Sequence, residues 1–268
     1  MWFYSSDVFP IRIVPTNSGE DVKISATTYL AFKQCPARAD ARFQGHFGRA
    51  SRTSFVGNLA HQIFRRHLVS GPVAEPDFDQ ACREEIGGSH RLNLSMGELG
   101  LRPSDLPGVF EEVRALYERF VRFPQEGFEG AEIELSLEPA EGVELVGRID
   151  AVYKAELGGF RLVDWKTGEL GESREQMGFY ALLWALDRGE LPALVEAVSV
   201  RTGERYNSVP STSDVEATAG VVTDMIDELR RRWADGTEFE RRGGPWCRYC
   251  PILEGCEEGE ATVRILKD

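Results

Sequence analysis

Asp150, Asp164 and Lys166 are the residues of this sequence best suited to metal-assisted chemistry. Asp164 and Lys166 stand two apart in a segment with Leu162, Val163 and Trp165, so on an extended strand both project from one face. If the connection between Tyr153 and Leu162 turns near Leu157 and Gly158, Asp150 lies opposite Asp164. Two carboxylates side by side in an otherwise apolar hairpin repel each other unless a cation neutralises them. A hard divalent ion such as Mg²⁺ suits oxygen ligands of this kind. The plainer alternative is a metal-free ion cluster in which Arg148 and Lys166 pair with the acids. A second constellation is Cys247-Arg248-Tyr249-Cys250 followed by Cys256, three soft ligands within reach of one small centre. A fourth is needed, and Cys35 and Cys82 compete for the place. Four thiolates suit Zn²⁺ or an iron-sulfur cluster.

The elements that must position these groups follow from the apolar spacing. A strand is expected near Val8 to Val14. Ser25 is a helix N-cap, and the helix runs to about Gln44 with a break at Pro36. Phe55, Leu59, Ile63, Phe64 and Leu68 predict a helix over Thr53 to Leu68 with His61 in its middle. Helical patterning continues from about Asp77 to Phe123 as an inserted lobe. The period then changes to strands at Ala131 to Leu137, Glu144 to Lys154 and Phe160 to Lys166. A helix over Ser173 to Arg188 ends at Gly189 and carries Gln176 and Tyr180 four apart on one face. A strand pair, Val195 to Val200 and Arg205 to Val209, precedes a long amphipathic helix over Asp214 to Trp233. Strand pairs with flanking helices make the class α/β or α+β.

Composition narrows the function classes. The 268 residues are 42% hydrophobic, enough for a sizeable core. The 31 basic against 44 acidic residues give a formal charge of −13, so a polyanion must be met by a local basic groove or through metal ions. Lys33, Arg38, Arg42, Arg49, Arg52, Arg65 and Arg66 are candidates to line such a groove. No apolar run approaches the roughly 20 residues of a membrane span, and the opening residues lack the pattern of a signal peptide, so a soluble, cytoplasmic protein is expected. Five cysteines is an odd count for a disulfide framework, in keeping with a reducing compartment.

Gly147-Arg148-Ile149-Asp150, Val163-Asp164-Trp165-Lys166-Thr167-Gly168 and Gln176-Met177-Gly178-Phe179-Tyr180 resemble motifs of RecB-type nucleases in the PD-(D/E)XK superfamily. Gly57-Asn58-Leu59-Ala60-His61 is similar to the Gly-x-x-x-His helix of that family, and Ala131-Glu132-Ile133-Glu134 to its acidic first motif. The cysteines match the iron-sulfur branch, which includes CRISPR-associated RecB-like exonucleases and the AddB nuclease domain. The resemblance implies one restriction-endonuclease-like domain over 1–268, a mixed sheet flanked by helices, with a helical insertion at about 74–125. It implies a Mg²⁺ or Mn²⁺ ion held by His61, Asp150, Asp164 and the backbone carbonyl of Trp165, with Lys166 orienting the attacking water. Gln176 and Tyr180 would contact the strand or the lysine, and Glu132, with Glu134 as alternative, would be the first-motif acid. Cys35, Cys247, Cys250 and Cys256 would hold a [4Fe-4S] cluster, or a structural Zn²⁺, joining segments 25–45 and 243–258. Implied substrates are DNA single strands or ends, in repair or in CRISPR spacer acquisition, with helicase or CRISPR integrase proteins as partners. The rival reading is a non-catalytic DNA-end-binding or assembly subunit, which would have no need of a lysine beside a metal dyad.

Overall fold

The computed structural model describes residues 11–266. In order the elements are β1 (Val22–Ser25), α1 (Ala26–Gln34), α2 (Pro36–Phe43), α3 (Arg52–Ser70), α4 (Phe78–Gly88), α5 (His90–Glu98), α6 (Leu106–Phe120), β2 (Phe128–Ala140), β3 (Val143–Lys154) and β4 (Phe160–Lys166). They continue as α7 (Ser173–Arg188), β5 (Leu194–Ser199), β6 (Arg205–Ser208), α8 (Thr212–Asp235) and α9 (Glu257–Ile265). The expected strand at Val8 to Val14 is not formed over Ile11 to Val14, and the rest of it lies outside the described residues. Two elements escaped the sequence reading, β1 and α9. Both are short, and β1 gives only four residues over which alternation can be read.

Local chemistry explains the boundaries. Ser25 closes β1 and caps α1 by accepting from the Thr28 amide. Pro36 cannot extend α1, lacking an N–H and clashing with the preceding turn, but it suits the first turn of α2. Cys35 is therefore held extended between two helices. At the far end of α7, Gly189 takes a left-handed conformation, with φ of 70°, that ends the helix.

The mixed sheet is six-stranded, in the order β1-β3-β4-β5-β6 with β2 also on β3. Antiparallel β2 pairs with β3 along nearly its whole length, from Val143 to Tyr153. The other edge of β3 is shared: parallel β1 takes Val143 to Val146, and antiparallel β4 takes Ala151 to Lys154. The sheet therefore forks, and Gly147 to Asp150 are left without a ladder partner on that edge. The functional candidates cluster at this fork.

Two apolar cores flank the sheet. One packs α1, α7 and α8 onto it through residues such as Phe179, Leu182, Leu183, Ile226 and Leu229. The other joins α3, α4 and α6 to Ala151, Tyr153, Val163 and Trp165, with Phe64 and Phe120 stacked at 4.2 Å between ring centroids. Each large apolar side chain buried here contributes roughly 1.5–3 kcal/mol. Trp165 therefore anchors β4 to the helical lobe while its neighbours Asp164 and Lys166 face α7, as strand alternation requires.

Candidate active site

His61 reaches the fork from α3 because α3 lies against the end of β4. Gly57 makes this possible: a Cβ there would stand 2.8 Å from Thr167 Oγ1. One turn beyond Gly57, His61 places Nδ1 3.4 Å from Asp150 Oδ2. Across β3 from Asp150 sits Glu132, between the paired residues Ala131 and Ile133 of β2. Its φ of 53° is the only positive value at a non-glycine among the described residues. Such a conformation costs on the order of 1–3 kcal/mol and persists where the surroundings enforce it. Glu132 is further held by Arg148 Nε at 2.7 Å.

Ligand atoms of His61, Glu132 and Asp150 lie within 4.8 Å of one another, a grouping among the described residues that could hold a metal ion. Asp164 stands beside this group and outside it. The Trp165 amide, at the point where the β3–β4 ladder has ended, donates to Asp150 Oδ2 at 2.8 Å. Asp164 is 4% exposed. Its Oδ1 accepts from Gln176 Nε2 at 2.9 Å, and Oδ2 has no hydrogen bond beyond the Lys166 ammonium at 2.8 Å. Gln176 is the hinge of the network: its Oε1 accepts from Lys166 Nζ at 2.5 Å, and its Nε2 also donates to the Tyr180 hydroxyl at 3.0 Å. Tyr180 thus touches Gln176, and it packs below Gly147, where a Cβ would collide with Leu183.

Burial disfavours the charged forms of His61, Glu132, Asp150 and Asp164. At His61 the burial effect is outweighed by Asp150, then by Asp164 and Glu132, and the pKa rises. Asp150 is likewise buried, yet His61, the Trp165 amide and Lys166 pull its pKa down. Asp164 moves the other way, because burial and the Asp150 charge exceed the help of Lys166. Burial also raises Glu132, with Arg148 opposing. The shifts of the acids thus diverge, and a cation would oppose the upward shifts of Asp164 and Glu132 by supplying positive charge.

The sequence-predicted residues His61, Asp150, Asp164, Lys166, Gln176 and Tyr180 all line one cleft of about 880 Å³, joined by Trp165. Glu134 is exposed on its rim, whereas Glu132 is the acid that reaches the histidine. The geometry separates two glutamates that spacing alone left open. Asn58, Gln62, Ser89 and Arg91 also line the cleft. Their only signal in the sequence was the position of Asn58 and Gln62 beside His61; nothing local announces that Arg91 comes near.

The expected groove cations are sorted by their partners. Lys33, Arg52 and Arg66 are ion-paired with Glu175, Glu112 and Glu84. None of the seven lines the cleft, whose own cations are Lys23, Arg91, Arg148 and Lys166.

Cys35 meets the C-terminal cysteine segment. Its Sγ accepts from the Arg242 amide at 3.4 Å, and Cys247 Sγ lies 3.9 Å from the Arg242 carbonyl. Cys247 and Cys256 each accept a backbone amide at 3.4 Å, from Gly244 and Gly259. The four sulfurs do not form a group within 4.8 Å among the described residues. Cys82 is elsewhere, in the lobe core on α4, its thiol pushed up to about 12 chiefly by burial.

The model of the PD-(D/E)XK nuclease superfamily matches residues 23–257. Among solved structures, a candidate exonuclease from Eubacterium rectale aligns with a TM-score of 0.51 at 15% identity, over 98% of this chain and 94% of its own. The structure of SSO0001 covers 90% of this chain and 89% of its own at 14% identity, with a TM-score of 0.42. At 15% identity the likeness to the Eubacterium rectale structure is one of fold. No curated protein matches the sequence.

Proposed function

Because the chain belongs to the PD-(D/E)XK nuclease superfamily, we propose that it is a Mg²⁺- or Mn²⁺-dependent deoxyribonuclease, an exonuclease of the RecB-like iron-sulfur branch acting on single strands or ends. The observation that carries this reading is the meeting of His61, Glu132 and Asp150 at the sheet fork, with Asp164 and Lys166 beside them. The donor set fits a divalent ion: one imidazole and buried carboxyls, one of which keeps an oxygen whose only partner among the described residues is the Lys166 ammonium. His61, Asp150, Asp164 and the Trp165 carbonyl, with Glu132 as a further ligand, would hold it. A strand residue directs its N–H and C=O to the same side. The Trp165 amide already points at Asp150, so its carbonyl faces the same gap.

When bound, the ion would polarise the phosphodiester and make a water nucleophilic near neutral pH. The chain's own part is positioning. Gln176 holds the Lys166 ammonium beside Asp164, where it can orient a water and stabilise negative charge on the attacked phosphate. Tyr180, whose pKa burial raises, stays protonated and accepts from Gln176, fixing which way that amide faces.

The cysteine reading extends this proposal. The sulfurs of Cys35, Cys247 and Cys256 each accept a backbone amide, the kind of support that ligands of a [4Fe-4S] cluster or a structural Zn²⁺ receive. Cys82 has an environment that keeps its thiol protonated. The test of the whole reading is cleavage of labelled single and double strands with Mg²⁺ or Mn²⁺ against EDTA. Metal-dependent release of nucleotides from strand ends is expected. Tight DNA binding without cleavage under any divalent metal would favour a non-catalytic binding subunit.

A further inference from the structure

The cleft opens at Arg91, the second residue of α5, and the charge there does not stop at the cleft. Arg38 and Arg42 lie four apart on α2, on one helical face. Arg38 bonds the Gln34 side chain rather than an acid, and Nε of both arginines is buried without a hydrogen-bond partner. The pKa of Arg42 is lowered by burial and then by the charges of Arg38 and Arg91, so the three guanidinium groups share one neighbourhood. In a chain of net charge −13, three neighbouring arginines with no ion pair to an acid among the described residues form a local reversal of the field.

Aromatic rings stand exposed at the same place. Phe47, in the loop between α2 and α3, is 62% exposed, with the Arg42 guanidinium 5.3 Å from its ring centroid. Tyr249 is 74% exposed. The two loops touch, since a Cβ on Gly48 would lie 3.0 Å from the Tyr249 carbonyl oxygen. Both rings are large, and neither contributes to either core. Exposed aromatic faces interleaved with unpaired arginines suit unpaired bases on a phosphate backbone; a duplex would offer this patch only phosphates.

We propose that single-stranded DNA leaves the cleft over this patch, its phosphates held by Arg91, Arg42 and Arg38 and its bases stacked on Phe47 and Tyr249. The inference rests on the nuclease reading and gives its substrate a direction, from the sheet fork past the start of α5 toward the cysteine segment. It assigns the exposed part of the loop at 44–51 a role that packing does not supply.

The test is fluorescence anisotropy with the full chain, using a labelled oligothymidylate long enough to cover cleft and patch, in Ca²⁺. Phe47→Ala and Tyr249→Ala should each weaken binding about tenfold, within the range for losing one base–aromatic stack. Phe47→Trp should retain it. Arg38→Ala with Arg42→Ala should lower the slope of affinity against salt by roughly one to two, as expected for losing about two phosphate contacts. Thermal melts will establish that the variants are folded, and calorimetric Mg²⁺ or Mn²⁺ affinity should stay at the wild-type value. Unchanged oligothymidylate affinity in both aromatic variants would overturn the path. Equal losses on a blunt duplex would overturn its preference for single strands. If the wild type binds but cleaves no strand under any divalent metal, the nuclease reading fails, while the binding comparison still decides the path.

Discussion

Gln176 has more to do with the chemistry than its distance from the acids in sequence implies. One amide group fixes Asp164, Lys166 and Tyr180 at once, so its loss should misplace the lysine without removing a metal ligand. Gln176→Ala is expected to slow turnover by on the order of tenfold to a hundredfold, with metal affinity measured by calorimetry little changed. Lys166→Ala should reduce the rate by at least about a hundredfold, because a charge aimed at the reacting phosphate is lost. Asp150→Ala should instead abolish metal binding itself. Undiminished cleavage by the Lys166 variant would sink the assigned mechanism, whatever the metal data show.

The helices matter through the faces they bring together. Gly147 on β3 lets α7 approach until Leu183 and Tyr180 lie over the strand, which is how Gln176 reaches the fork. Gly147→Ala should cost about 1–3 kcal/mol from overpacking and lower turnover by displacing α7. Adding Leu183→Ala should recover part of both, a coupling that melts and single-turnover rates can measure. On the lobe side, His67 Nδ1 meets the Tyr117 hydroxyl at 2.8 Å, and that hydroxyl accepts from the Val73 amide at 2.8 Å. Burial lowers the pKa of His67 below the ordinary 6.5. The unfolded chain then binds more protons in the interval between the lowered value and 6.5, so the stability His67 supplies is present above 6.5 and lost as the pH falls through that interval. Hydrogen-exchange protection factors at α3 and α6 should fall on acidification over this range, and His67→Gln should flatten the response.

At the scale of the whole molecule, the −13 charge and the acidic site should make DNA binding weak in EDTA and stronger with Mg²⁺ or Ca²⁺. Ca²⁺ should support binding with little hydrolysis, since it tolerates looser oxygen geometry. Cys35 and Cys247 both meet the Arg242 backbone, which brings the junction of α1 and α2 against the segment of Cys247, Cys250 and Cys256. On the proposed iron-sulfur reading, protein purified without oxygen should be brown, and Cys35→Ala should bleach it and lower its melting temperature while Cys82→Ala leaves the colour intact. Stoichiometric zinc without iron or sulfide would replace the cluster with a zinc site.

Much of the fold was legible because it is written in short-range periodicity. The β3–β4 hairpin, the helix that presents Gln176 and Tyr180, the break at Pro36 and the cap at Ser25 all depend on residues within a turn or a strand of one another. The register that carries Asp150 toward Asp164 belongs to this group, since it follows from where the chain turns, although the ladder itself ends one pair earlier, at Ala151 and Val163. The identity of the third member of the metal group does not. Glu132 and Glu134 alternate alike in an ideal strand, and the choice between them depends on a left-handed residue in β2 opposite Asp150 and on α3 delivering His61 there. Which cations are available to DNA was equally hidden, because Lys33, Arg52 and Arg66 are neutralised by acids far away in sequence while Arg91 is brought to the cleft from the lobe. Periodicity and motif order determined the elements and the chemistry they carry. The fork in the sheet, with two strands dividing one edge of β3, decided where that chemistry gathers, because such sharing is a long-range pairing that no local pattern encodes.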